Sequence, residues 1–91
     1  MTPEAKTDLY CKNASAHESR AKNVVKRRLK NPDSAKFGAS AAVYTGYCEF
    51  TVTGQVSAQN GFGGMSQSTY AAVTRWSHVN QKFELIDIAI K

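Results

Sequence analysis

A rhythm of three and four residues runs through the first third of the chain, and strict alternation takes over in the rest. From Asp8 to Lys30 the residues Tyr10, Ala14, His17, Ala21, Val24, Val25 and Leu29 recur at helical steps, which aligns them on one face. Arg20, Lys22, Lys26, Arg27 and Lys30 fall on the opposite side, and the basic residues of the last turns suit the negative end of the helix dipole. Asn31-Pro32 is a stop signal, because proline disfavours helical geometry in the residue before it and has no backbone donor. The pattern predicts one amphipathic helix over residues 8–30, preceded by a frayed end at 1–7.

Asp33-Ser34 reads as a turn, since both side chains can bond nearby backbone amides. Phe37 then returns to the core. Residues 41–46 form a first short strand. Residues 48–58 form a second, with Cys48, Phe50, Val52, Gly54, Val56 and Ala58 on one face and Glu49, Thr51, Thr53, Gln55 and Ser57 on the other. Gly54 in mid-strand points to a bulge or to close approach by the helix. A loop from Gln59 to Ser66, carrying Gly61, Gly63 and Gly64, leads to a third strand at 67–76 that opposes Tyr70, Ala72, Thr74 and Trp76 to Ala71, Val73 and Arg75. After a turn at 77–80, a last strand covers 82–90. Its Ile86, Ile88 and Ile90 share one face and its Phe83, Leu85 and Ala89 the other, which predicts cover on both sides. One helix and four strands with short connections give an α+β fold, an N-terminal amphipathic helix packed on a three- to four-stranded antiparallel meander.

Length and composition narrow this picture. A chain of 91 residues has room for one core and hence one domain. No apolar run approaches the roughly 18–20 residues needed to span a bilayer. No basic segment followed by an apolar one opens the chain as a signal peptide would. The formal charge of +5 lies wholly in residues 1–36, with nine basic against four acidic side chains, while the remainder is balanced. A polyanionic partner would meet the protein there. Cys11 and Cys48 show no zinc-like spacing, so no metal is expected. They read either as one disulfide, worth roughly 3–4 kcal/mol through loop closure, or as two free thiols.

Little in the sequence supports catalysis, and no cofactor is implied. His17 fits the apolar stripe as a hydrogen-bonded structural residue, and His78 sits in a turn. Neither has a partner at a telling spacing. Asp87, amid apolar neighbours, is expected at an edge reaching water. The glycine loop lacks the lysine of a phosphate-binding loop and precedes a strand where such a loop precedes a helix. It is read as a hairpin connection anchored by Phe62, or as a partner-binding tip formed by Asn60, Phe62, Gly63, Gly64 and Met65. The cations Arg20, Lys22, Lys26, Arg27 and Lys30 form an anion-binding candidate, for an anionic envelope surface before nucleic acid, set against a plain solvated face.

Two segments carry a resemblance. Leu29-Lys30-Asn31-Pro32-Asp33-Ser34-Ala35-Lys36-Phe37 and Gly54-Gln55-Val56-Ser57-Ala58-Gln59-Asn60-Gly61-Phe62-Gly63-Gly64 resemble small bacterial and phage-associated exported, lipoprotein-like proteins that pair a PDSA-x-F segment with a G-x-V-x-A-x-N-x-F-G-G segment. The resemblance covers roughly residues 20–64 and departs after Gly64, where Met65-Ser66-Gln67-Ser68-Thr69-Tyr70 replaces a tyrosine-rich continuation. It implies export to a periplasm or cell envelope, a formed Cys11–Cys48 disulfide, and a start at Met1–Ala5 placed on a signal-cleaved segment. The expected function is non-enzymatic binding of a protein partner through the Phe62 loop and sheet, in an inhibitory, immunity or envelope-component role. The alternative is a cytoplasmic phage-type protein that binds nucleic acid through its basic helix.

Overall fold

Asn13 cuts the expected helix in two. The computed structural model describes all 91 residues, with α1 at Pro3–Tyr10 and α2 at Ala14–Arg27. The Asn13 side chain accepts from the Ala16 amide at 3.1 Å, which satisfies one of the donors left open at a helix start. Thr2 does the same for Ala5, and Pro3 occupies the first helical position, where its missing N–H costs nothing. Most of the residues expected to fray are therefore helical. α2 ends at Arg27, ahead of the predicted Lys30, and the chain passes into a 3-10 turn at Pro32–Ser34.

Four strands follow: β1 at Lys36–Gly46, β2 at Glu49–Gln59, β3 at Met65–Ser77 and β4 at Lys82–Ile90. They form one antiparallel sheet in the order β1-β2-β3-β4, so the fold is the α+β meander that the sequence predicts. α2 lies across one face. Its Val24 is buried, and its His17, Ala21 and Val25 are buried against Phe50, Val52, Val56, Tyr70, Ala72 and Thr74. The alternation read in β2 and β3 places these residues inward, and the β2–β3 register runs unbroken from Glu49↔Arg75 to Gln59↔Met65.

Three expectations need correction. β1 starts at Lys36, earlier than position 41, and Phe37 reaches the core as a strand residue paired with Val56, its ring edge-on to Tyr70 at 5.9 Å. β4 is not covered on both sides. Thr74 pairs with Leu85 and Val73 with Asp87, so Ile86 is an extra bulged residue. The bulge brings Phe83, Leu85, Ile88 and Ile90 to the helix-covered face and leaves Ile86 and Ala89 exposed. At Gly54 the expected irregularity is present in the β1–β2 ladder, but the extra residue lies on β1 between Phe37 and Ser40, and the helix does not explain the glycine. The ring of Tyr70, its partner on β3, lies over it, and an added Cβ would stand 2.5 Å from the Tyr70 hydroxyl.

Cys11 and Cys48 form a disulfide with their Cα atoms 4.3 Å apart. Cys11 caps the C-terminal end of α1, and Cys48 occupies the β1–β2 turn with φ +62°, just before the strand it was expected to begin. α2 therefore starts near this bridge and runs along the sheet toward the β2–β3 connection at the other end.

Candidate functional site

One side chain organises the β2–β3 connection. Asn60 Oδ1 accepts from the amides of Phe62 at 2.9 Å and Gly64 at 3.1 Å, while its Nδ2 donates to Ser66 Oγ at 3.0 Å. The Asn60 amide donates to the Gly64 carbonyl at 2.7 Å, and the Gly63 amide donates to the Asn60 carbonyl at 3.2 Å. Gly63 has φ +86°, a region that strains residues with a Cβ. Asn60, Gly63 and Gly64 thus shape the loop, and Met65 opens β3 with its side chain in water. Phe62, at the outermost point, is 100 % exposed. It anchors nothing within its own chain.

The proline turn supports this loop from behind. Ser34 Oγ accepts from the Gln59 amide at 2.7 Å and donates to the Asn31 carbonyl at 2.8 Å. Asn31 Nδ2 donates to Gln59 Oε1 at 2.7 Å, and Gln59 Nε2 donates to the Gly63 carbonyl at 3.2 Å. The two sequence tags are therefore one structural unit. Asn31, Ser34 and Gln59 were not expected to act here. The signal available was weak: Asn and Ser beside a proline mark a turn, without saying what the turn touches.

The basic residues do not act as one patch. Lys30 reaches the loop, its Nζ 3.8 Å from where a Cβ on Gly61 would lie. Lys26 and Arg27 are exposed on the last turn of α2, and Lys22 Nζ sits 5.9 Å from the centroid of the Phe37 ring. Arg20 turns toward the opposite end of the molecule, beside Tyr10, Trp76 and Phe83. Two other turn tips, Tyr47 and Val79, also expose large apolar side chains at that opposite end.

Both histidines are engaged. His17 is fully buried, with Nε2 donating to the Tyr10 carbonyl at 3.1 Å and Nδ1 accepting from Thr74 Oγ1 at 2.8 Å, an arrangement that suits the neutral ring. Burial holds its pKa below the usual 6.5, partly opposed by the backbone carbonyls of Tyr10 and Cys11. Above pH 6.5 the ring is neutral in both the folded and unfolded chain. As pH falls below that, the unfolded chain takes up a proton that the folded chain refuses, so stability declines toward the lower folded value. Urea unfolding between pH 7.5 and 5.5 should show this loss, with a slope of at most about 1.4 kcal/mol per pH unit. His17→Gln should flatten it; a slope unchanged by His17→Gln would assign the loss to other groups.

At the opposite end, the Thr7 hydroxyl donates to His78 Nδ1 at 2.6 Å while accepting from Trp76 Nε1 at 3.1 Å and Gln81 Nε2 at 3.2 Å. This hub docks α1 on the β3–β4 turn. No three His, Cys, Asp or Glu side chains come together in a way that could hold a metal ion, and no helix is long and apolar enough to cross a membrane. Comparison with family models, with curated proteins and with solved structures finds no match to this chain.

Proposed function

We propose that the chain is a small non-enzymatic binding protein that engages a protein partner by seating Phe62 in an apolar pocket. The carrying observation is a wholly exposed phenylalanine on a loop whose backbone bonds are already closed. Burying such a ring yields roughly 1.5–3 kcal/mol, and a preformed loop loses little further freedom on binding. Lys30 beside the loop favours a pocket with an acidic rim, and the charge of the N-terminal third would speed the encounter. The disulfide supports an oxidising compartment, hence export to the periplasm or cell envelope, with an inhibitory, immunity or envelope-component role. His17 is a poor general base, because both its nitrogens are occupied inside the core.

The test is affinity capture from extracts with and without nuclease treatment, with envelope and cytosol kept apart. Phe62→Ala should weaken capture of an envelope protein by about 30-fold, the effect of losing a central anchor, and leave the melting temperature unchanged. A photoreactive phenylalanine analogue at position 62 should crosslink to that protein, while the same group at Tyr47 or Val79 should not. Capture that nuclease abolishes, and that only a Lys26/Arg27/Arg28→Ala variant lacks, would replace this reading with nucleic-acid binding through the basic helix.

A further inference from the structure

The end of the molecule away from Phe62 holds a recess of about 340 Å³ that the proposed function does not use. Its walls are aromatic. Tyr10, Trp76 and Phe83 pack as a triangle, with ring centroids 4.8, 5.1 and 5.5 Å apart. Three cationic side chains from three different elements line it: Lys6 of α1, Arg20 of α2 and Lys82 of β4. No carboxylate does, and none of the three cations is in an ion pair, since Arg75–Glu49 is the molecule's one salt bridge. Lys6 Nζ stands 5.9 Å from the centroid of the Trp76 ring. Arg20 Nε is buried and has no hydrogen-bond partner. A buried guanidinium nitrogen without an acceptor is costly, and converging like charges add to that cost. A negative group in the recess offsets the repulsion among the cations, while Nε itself has no surface open to it.

We infer that this recess binds a small ring-bearing oxyanion, an aryl carboxylate or aryl phosphate, with the anion among Lys6, Arg20 and Lys82 and the ring against Tyr10 and Phe83, beside the buried Trp76. A bare inorganic anion would leave the aromatic walls unused, and a neutral ring would leave the three charges unanswered. The recess, open on one side, suits one ring and one anionic group. This site lies at the opposite end from the Phe62 loop, so it stands or falls independently of the partner-binding reading.

Trp76 is the chain's one tryptophan, which makes its emission a built-in reporter. Benzoate and phenyl phosphate should each produce a saturable change in that emission, with dissociation constants on the order of 1 mM for ligands of this size. Benzamide and inorganic phosphate should bind at least about tenfold more weakly, and added salt should weaken benzoate and phenyl phosphate but not benzamide. Lys6→Met and Lys82→Met, which keep an unbranched apolar stem in place of the charge, should each weaken benzoate by about three- to tenfold. Lys36→Met, an equal loss of charge at the far end, should not. Equal binding of benzamide and benzoate, equal effects of Lys36→Met and Lys82→Met, or no saturable change would each overturn the assignment.

Discussion

Replacing Cys11 and Cys48 together by alanine should lower the unfolding free energy by about 4 kcal/mol, the loop-closure entropy of a bridge between residues 37 positions apart. Native domains hold only about 5–15 kcal/mol in total, so the loss takes a large share of what a chain this short can hold. Its structural focus is α1, which buries no residue of its own and meets the sheet mainly through Thr7 and Tyr10. Freed from Cys48, that helix loses its tether to the β1–β2 turn, and the Tyr10 carbonyl moves away from His17. For a domain of this size the melting temperature should fall by about 15–30 °C. Thermal melts with and without dithiothreitol check this. Wild type should lose the full amount on reduction, and the double variant should ignore the reductant. Matching melts for oxidised and reduced wild type would show that packing alone holds α1.

The second large effect is expected at Gly54. An alanine there would place its Cβ 2.5 Å from the Tyr70 hydroxyl, 2.7 Å from Cζ and 2.9 Å from Cε2. The ring has nowhere to go, because Tyr70 is 3 % exposed and Phe37 stands edge-on against it. Overpacking of this kind costs about 2–3 kcal/mol, although alanine would otherwise be preferred to glycine in a strand. The pairing can be isolated by a double-mutant cycle. In a Tyr70→Leu background, which removes the far half of the ring, Gly54→Ala should be neutral or slightly stabilising. An equal cost in both backgrounds would place the strain in the backbone of β2 and away from the ring.

What the sequence made legible follows from how locally each feature is encoded. α2, β2 and β3 each bury one face over many residues, so their periods identify them without reference to neighbours. The break at Asn13 hides because the apolar steps from Tyr10 to Ala14 to His17 continue across it. A capping side chain, Asn13, rather than any change of period, starts the second helix just after Cys11 closes the first. The facing of β4 depends on Ile86, and an inserted residue carries no mark of its own until the register with β3 is known. Gly54 announces a close approach, but its partner Tyr70 comes from another strand. The same holds at the sites. Phe62 could be singled out as the aromatic in a glycine loop, yet its exposure rests on bonds from Asn60 and Gln59. Grouping Arg20 with Lys30 follows the helix sequence, but Arg20 sits toward the α1 end of the molecule, where Lys6 and Lys82 are nearer company.

The bonds from Ser34 and Asn31 to Gln59 have a consequence for descent. A turn and a loop joined by side chains can drift only in step, since a change at Ser34 withdraws the acceptor that the Gln59 amide depends on, and a change in loop length moves that amide away from Ser34. The stretch between them, β1 and most of β2, answers to a looser rule, because its outward residues bear on neither. Lineages that keep this fold would therefore inherit the proline turn and the glycine loop as a pair, with variation between them confined to the outward-facing residues.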